Sequence, residues 1–408
     1  IINKLNSNYF YWNNFESNNT FLAIGKTQIE ITSNKKDLIS SNKVLEKIAD
    51  LIEFTYSNSG IPLVCGGIKF SNSSSELWND FSEVDFFVPQ ILLVSLQNNN
   101  FCVINTNLNE LEDTENLLRQ IDTSESNDFI NKISGKLVKD ESIENWSAKI
   151  DSALNKIAQH EITKVVISRK KEVKLNNSDL LDCKTNFLRL LSKNHKDCSI
   201  FGYKKNNSFF FGASPENFLS LHNNYIETDA LAGSSQKSNG VLLMDDDLLD
   251  DKKNRDEHNQ VLEYIINGLK DLTFNLDYSK IPKVKNFKYI QHLWTPLNAV
   301  LKQEKTVLDI VNAIFPTPAV CGYPKEKSFN IINEIEQEDR GMYSGLVGWF
   351  NLSGDAEFYV ALRSALLKNC TVTAYAGCGI VDGSDSVKEF YETENKFTPI
   401  IDLIEIEH

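Results

Sequence analysis

The chain of 408 residues is predicted to fold as an α/β protein of the α+β kind, with two layers of mainly antiparallel β-sheet and helices packed outside them. Three stretches support this. ENWSAKIDSALNKIAQ places Trp146, Ile150, Leu154, Ile157 and Ala158 at helical spacing and runs directly into the strand-like KVVISRKKEV. SIFGYKKNNSFFFGAS folds back on KKNN as a hairpin. GLVGWFNLSGDAEFYVALRSALLKNCTVTAYAGCGIV reads as three strands joined by SGD and KN turns, an antiparallel meander.

The upstream part has a different texture. Through about residue 140, aromatic clusters such as YFYWNNF and FFVPQILLVSL alternate with polar connectors such as SNSSSE and LQNNN, the pattern of strands joined by loops. Residues 1–140 are therefore expected to be strands and polar loops, with sharper helix and strand signals over 141–408. With 41% hydrophobic and 10% aromatic residues, the chain has enough apolar material for one large domain or two ordinary ones. The acidic run MDDDLLDDKKNRDEH reads as a solvated loop entering a helix.

A net charge of −14 argues against a nucleic-acid or anionic-membrane surface and leaves a small acidic molecule, bound in a locally basic pocket, as the expected partner. Seven cysteines without a CxxC pair fit scattered reduced thiols and a cytoplasmic location. Neither a leader pattern nor an apolar run of spanning length is evident, and a monomer or weak oligomer is expected.

Two helical segments carry candidate chemistry. In KEFYETENK, Glu389, Glu392 and Lys396 share one face, while Phe390, Phe397, Ile400 and Ile401 can take another. Alone, this is a solvated face with spaced ion pairs; with a partner, its carboxylates become metal ligands. KKNRDEHNQVLEYIINGLKDL supplies such a partner. Val261, Leu262, Ile265 and Leu269 define its buried stripe, and Glu257 lies one turn before Val261 at the stripe's edge. Glu394, on another face of the terminal helix, is expected to tolerate substitution.

The strings KVVISR, FGASPENFL, ALAGS, NRDEHNQV, QHLWTPL, FPTPAVCGYP, DRGMYSGLVGWF, EFYVALRSAL, YAGCGIV and EFYETENK occur in the order seen in the chorismate-utilising enzymes, which the chain resembles over about residues 145–405. Among these it looks most like the isochorismate synthases. The resemblance implies the chorismate-utilising fold as one large domain with the site between its two sheets, residues 1–140 a variable part of that fold and 141–408 the chorismate-binding catalytic region, chorismate as substrate and Mg²⁺ as cofactor. The implied reaction adds water at C2 of the ring as the C4 hydroxyl leaves, which needs a base, an acid and a cation for the ring carboxylate. The product would feed menaquinone, siderophore or salicylate formation.

Carried over residue by residue, the resemblance makes Lys164 the base and Glu216 of the SPE turn the acid. It makes Glu257 and Glu392 metal ligands, with Glu389 nearby or bridged by water. Substrate contacts are expected from Gly233, Ser234, His292, Ala319, Arg363, Gly377, Gly379 and Lys396. Arg363 is read as lying within a buried strand, where an unpaired guanidinium calls for a carboxylate. The bland alternatives are a surface lysine at 164, a helix-start carboxylate at 216, a core histidine at 292 and tight strand packing at the glycines. Ala232 stands where aminodeoxychorismate synthases place a nucleophilic lysine, and Ala319 where salicylate synthases tend to carry a hydroxyl. Salicylate synthase is the nearest rival; the intact set Lys164, Glu216, Glu257 and Glu392 speaks against an inactive regulatory paralogue. Phe315 replaces a usual His, and Asn254 a usual acidic residue.

Overall fold

The structure is a computed structural model that describes residues 7–27, 30–33, 61–71, 75–97, 99–107, 109–121, 133–176, 183–236, 245–287 and 290–407. Its described strands form two large sheets, one of 12 strands and one of 10, paired antiparallel except where Ile404–Ile406 runs parallel to Ile133–Asp140. Phe10, Trp12, Tyr203, Trp349 and Tyr359, drawn from both sheets, share one buried aromatic cluster. The upstream part contributes to each sheet: Tyr9–Asn14 pairs with Ser199–Lys205 in the larger, and Val64–Ile68 with Leu346–Phe350 in the smaller.

The hairpin turns where expected, with Lys205 opposite Ser208 and Asn206 at φ 51°, a left-handed conformation that Asn tolerates. The helix Ile143–Ala158 feeds the strand Lys164–Leu175, but its buried stripe is Trp146, Ile150, Ala153 and Ile157, with Ala158 exposed. The acidic run is not a loop: Asp245–Asp250 is a short helix leading into the helix Lys252–Leu269. That longer helix buries Val261, Leu262, Ile265 and Leu269 as its 3.6-residue period requires.

The tail departs most from expectation. It forms four strands, and its two hairpins belong to different sheets: Leu346–Phe350 with Ala356–Val360 in the smaller, Ser364–Lys368 with Thr371–Val381 in the larger. Arg363 is thus not inside a strand; it sits at the crossing between sheets, at φ 49°. The chain makes a second crossing at Pro215–Glu216, between Ser208–Ser214 in the larger sheet and Asn217–His222 in the smaller. The two crossings are fastened together. Val360 N–H donates to the Glu216 carbonyl at 3.1 Å, Ala213 N–H to the Arg363 carbonyl at 3.1 Å, and Ser214 Oγ to the Val360 carbonyl at 2.5 Å. No helix starts at Ser-Pro-Glu; this cross-bracing places Glu216 and Arg363 at one passage between the sheets.

Candidate active site

That passage opens into a pocket lined by Glu216, Gly233, Ser234, Glu257, His292, Ala319, Arg363, Gly377, Gly379, Glu389, Glu392 and Lys396. Lys164 lies behind the lining rather than in it, its side chain 1% exposed, with Nζ 2.7 Å from Glu257 Oε1. The contact is an ion pair by distance, although Nζ makes no hydrogen bond of good geometry with any described residue. Ser328 Oγ holds the Lys164 carbonyl at 3.0 Å and so anchors the start of the strand.

The glycines of the AGCG string have a role in space. A Cβ on Gly379 would come within 2.9 Å of both Glu257 Oε1 and Lys164 Cε, closer than real Cβ contacts allow. A Cβ on Gly377 would meet the Ile167 carbonyl at 2.9 Å and the Tyr343 hydroxyl at 3.1 Å. The strand pairing places Gly379 opposite Val166 and Gly377 opposite Ser168, so each bare Cα leaves room beside the strand that carries Lys164.

The electrostatics assign different states to the carboxyls. Burial, reinforced by Asp229, pushes Glu216 up to about 8 despite the opposing pull of Lys164 and Lys396, so it is protonated at neutral pH. Burial and the neighbouring Glu392 raise Glu389 as well. For Glu392 burial acts upward too, but the Lys396 ammonium at 2.7 Å overrides it and holds the carboxyl below its ordinary value. Lys396 is raised in return, the Glu392 charge outweighing desolvation.

In this structure Lys396 pairs with Glu392 and donates to the Gly377 carbonyl at 3.0 Å, which engages two of its three donors while it still lines the pocket. Burial, with Lys396 and Arg363 adding to it, drives His292 well below its ordinary value; it is neutral, and its Nδ1 has no hydrogen-bond partner among the described residues. Arg363 is buried, and no described carboxylate forms an ion pair with it.

Glu257, Glu389 and Glu392 offer hard oxygen donors to one space, and the raised Glu389 reflects burial together with like charge. Their oxygens do not all fall within 4.8 Å of one another, and each carboxylate has a lysine beside it, Lys164 at 2.7 Å, Lys253 at 3.4 Å and Lys396 at 2.7 Å. As carboxylates they are of the donor type that a hard divalent cation takes. Phe315, by contrast, packs edge-on against Phe218 in the apolar core, at 5.9 Å between ring centroids, and lies outside the pocket.

Sequence reasoning missed several lining residues. Lys253, whose Nζ is 3.4 Å from Glu389 Oε1, precedes Glu257 by four positions and was legible as its same-face neighbour. Tyr375 shares the strand alternation of Gly377 and Gly379, and it stacks on Tyr343 with centroids 5.2 Å apart. Ser344 and Leu362 have no local pattern that marks them.

Residues 1–405 match the family described as chorismate binding enzyme. The chain belongs to the chorismate binding enzymes. Among relatives, it is 29% identical to the isochorismate synthase MenF of Bacillus subtilis over 98% of this chain and 88% of that protein. It is 32% identical to the vibriobactin-specific isochorismate synthase of Vibrio cholerae over 67% of this chain and 69% of that one. Its fold is similar to that of the menaquinone-specific isochorismate synthase MenF of Escherichia coli, with a TM-score of 0.80 at 21% identity over 98% of this chain and 89% of that one. The anthranilate synthase component I of Streptococcus pneumoniae has a TM-score of 0.71 at 21% identity, over 97% and 90%. As a chorismate binding enzyme, the protein carries the fold expected of it, while the fold alone is common to members with different names. None of the seven cysteines is joined in a disulfide, and no described helix is long and apolar enough to cross a membrane.

Proposed function

We propose that the protein is an isochorismate synthase, converting chorismate to isochorismate by adding water at C2 as the C4 hydroxyl leaves. One observation carries this reading: a protonated carboxyl, Glu216, lines the pocket, and a buried amine, Lys164, lies directly behind Glu257 of the same lining. An exchange of hydroxyls needs a donor and an acceptor of protons at separate places. Lys164, on the Glu257 side, takes the proton of the attacking water when it is present as the neutral amine, since the ammonium that pairs with Glu257 has no lone pair to offer. Glu216, at the crossing between sheets, gives its proton to the departing hydroxyl.

The basic side chains orient the substrate. Arg363, buried without a described carboxylate partner, is matched by a substrate carboxylate, since a desolvated guanidinium is costly until paired. The remaining donor of Lys396 and the neutral His292 supply further polar contacts. A bound Mg²⁺, held by Glu257 and Glu392 with Glu389 beside them, would supply positive charge to the ring carboxylate. Ala232 offers no amine to attack the ring, and Ala319 leaves its part of the wall apolar. Product analysis with chorismate tests the reading: isochorismate is expected, whereas release of pyruvate and salicylate would make the protein a salicylate synthase.

A further inference from the structure

Asn254 departs from the family pattern, and its surroundings give it a task. The strand Tyr225–Gln236 pairs with Ile290–Leu301 in regular register until Ala232 faces Leu293; the next pair is Ser234 with His292, so Gly233 is an extra, bulged residue at φ 74°. A bulge takes a backbone N–H out of the ladder, and buried N–H groups need another acceptor. The Ser234 N–H finds one in Asn254 Oδ1 at 3.0 Å. The two segments are also in close steric contact, because a Cβ on Gly233 would lie 2.7 Å from the Asn254 carbonyl. Asn254 itself is fixed: Asp251, the N-cap of the helix Lys252–Leu269, accepts the Asn254 N–H at 2.7 Å. One turn further along that helix is Glu257, which holds Lys164.

We propose that Asn254 is a positioning residue, whose side-chain carbonyl pins the Ser234 bulge to the helix turn carrying Glu257 and so sets the Ser234 hydroxyl in the pocket. The departure from an acidic residue is then conservative in function, because Asn Oδ1 and a carboxylate oxygen both accept the same N–H. What matters at this position is an acceptor of this reach, not a charge. The catalytic part of the claim rests on the isochorismate synthase reading; the structural part does not.

The test uses the full chain as wild type, N254A, N254D, S234A and the double variant S234A/N254A. Amide hydrogen exchange over residues 231–235 reads the pin directly. N254A should exchange there about tenfold faster or more, while N254D matches wild type. With chorismate and Mg²⁺, N254A should lose about tenfold to a hundredfold in kcat with a near-normal thermal midpoint, N254D should retain most of it, and the double variant should be no slower than S234A alone. Unchanged exchange in N254A, or losses that multiply in the double variant, would overturn the proposal. A wild type inert towards chorismate would instead remove the functional reading, and the exchange data would still decide whether Asn254 pins the bulge.

Discussion

Lys164 Nζ and Glu257 Oε1 meet at 2.7 Å across a space that exists because residue 379 has no side chain. The strand Lys164–Leu175 brings the amine, the helix Lys252–Leu269 brings the carboxylate, and the strand Thr371–Val381 runs between them with Gly379 at the point of contact. The Gly379→Ala variant should therefore fold normally, since its backbone lies outside the left-handed region, yet displace one partner of the pair. A loss of about a hundredfold in kcat with a near-normal thermal midpoint is expected, measured by steady-state kinetics and thermal unfolding.

Glu216 predicts a pH limb. In its proposed role as proton donor it works while protonated, so turnover should fall as pH rises through about 8, and Glu216→Gln should lose most activity and show no such limb. Stability has the same sign. A carboxyl raised from 4.5 to about 8 binds its proton more tightly in the native state, so its contribution is full below 4.5 and is lost as pH rises through about 8. Across that window the thermal midpoint of Glu216→Gln should decline less than that of wild type.

Removal of the cation tests the glutamates. EDTA should abolish turnover, and Glu392→Gln should do the same while preserving the fold, because Glu392 lies at the pocket with Lys396 as its ion-pair partner. Lys388, exposed on the outer face of the same helix, should tolerate Gln. Activity that survives both EDTA and Glu392→Gln would contradict the cation assignment.

Glu394 behaves differently from its sequence reading. Its carboxylate accepts hydrogen bonds from the buried Arg169 and, at 2.7 Å, from Lys171, so it is a structural anchor rather than a tolerant surface position. Glu394→Gln should lower stability by about 1–3 kcal/mol with kcat largely retained, measured by denaturant unfolding beside kinetics.

How much of this was legible follows from how local each feature is. The stripe of Val261, Leu262, Ile265 and Leu269, the hairpin about Asn206, and the shared face of Glu389, Glu392 and Lys396 are set by periods of a few residues, and the structure has all three. The tail was misread because ALRSAL continues an apolar run; only the left-handed backbone at Arg363, invisible in residue type, ends one hairpin and sends the chain to the other sheet. Glu394 was misjudged because its partners lie 223 and 225 positions away. Trp12, which donates to Glu357 across 345 positions, shows the same reach in the core. The residues of the pocket were recoverable because each belongs to a short string matched as a unit, whereas Lys253 and Tyr375 gain their meaning from neighbours brought by other elements.

The most direct measurement follows the reaction from both sides. Purified protein with Mg²⁺ is incubated separately with chorismate and with isochorismate, and the products are separated and quantified over time. Both incubations should converge on one mixture of the two compounds without release of pyruvate, because isomers that differ in the position of a hydroxyl lie close in free energy, and Lys164→Gln should reach it in neither direction. Pyruvate and salicylate formed in equal amounts, or a Lys164→Gln variant that equilibrates as fast as wild type, would contradict the account.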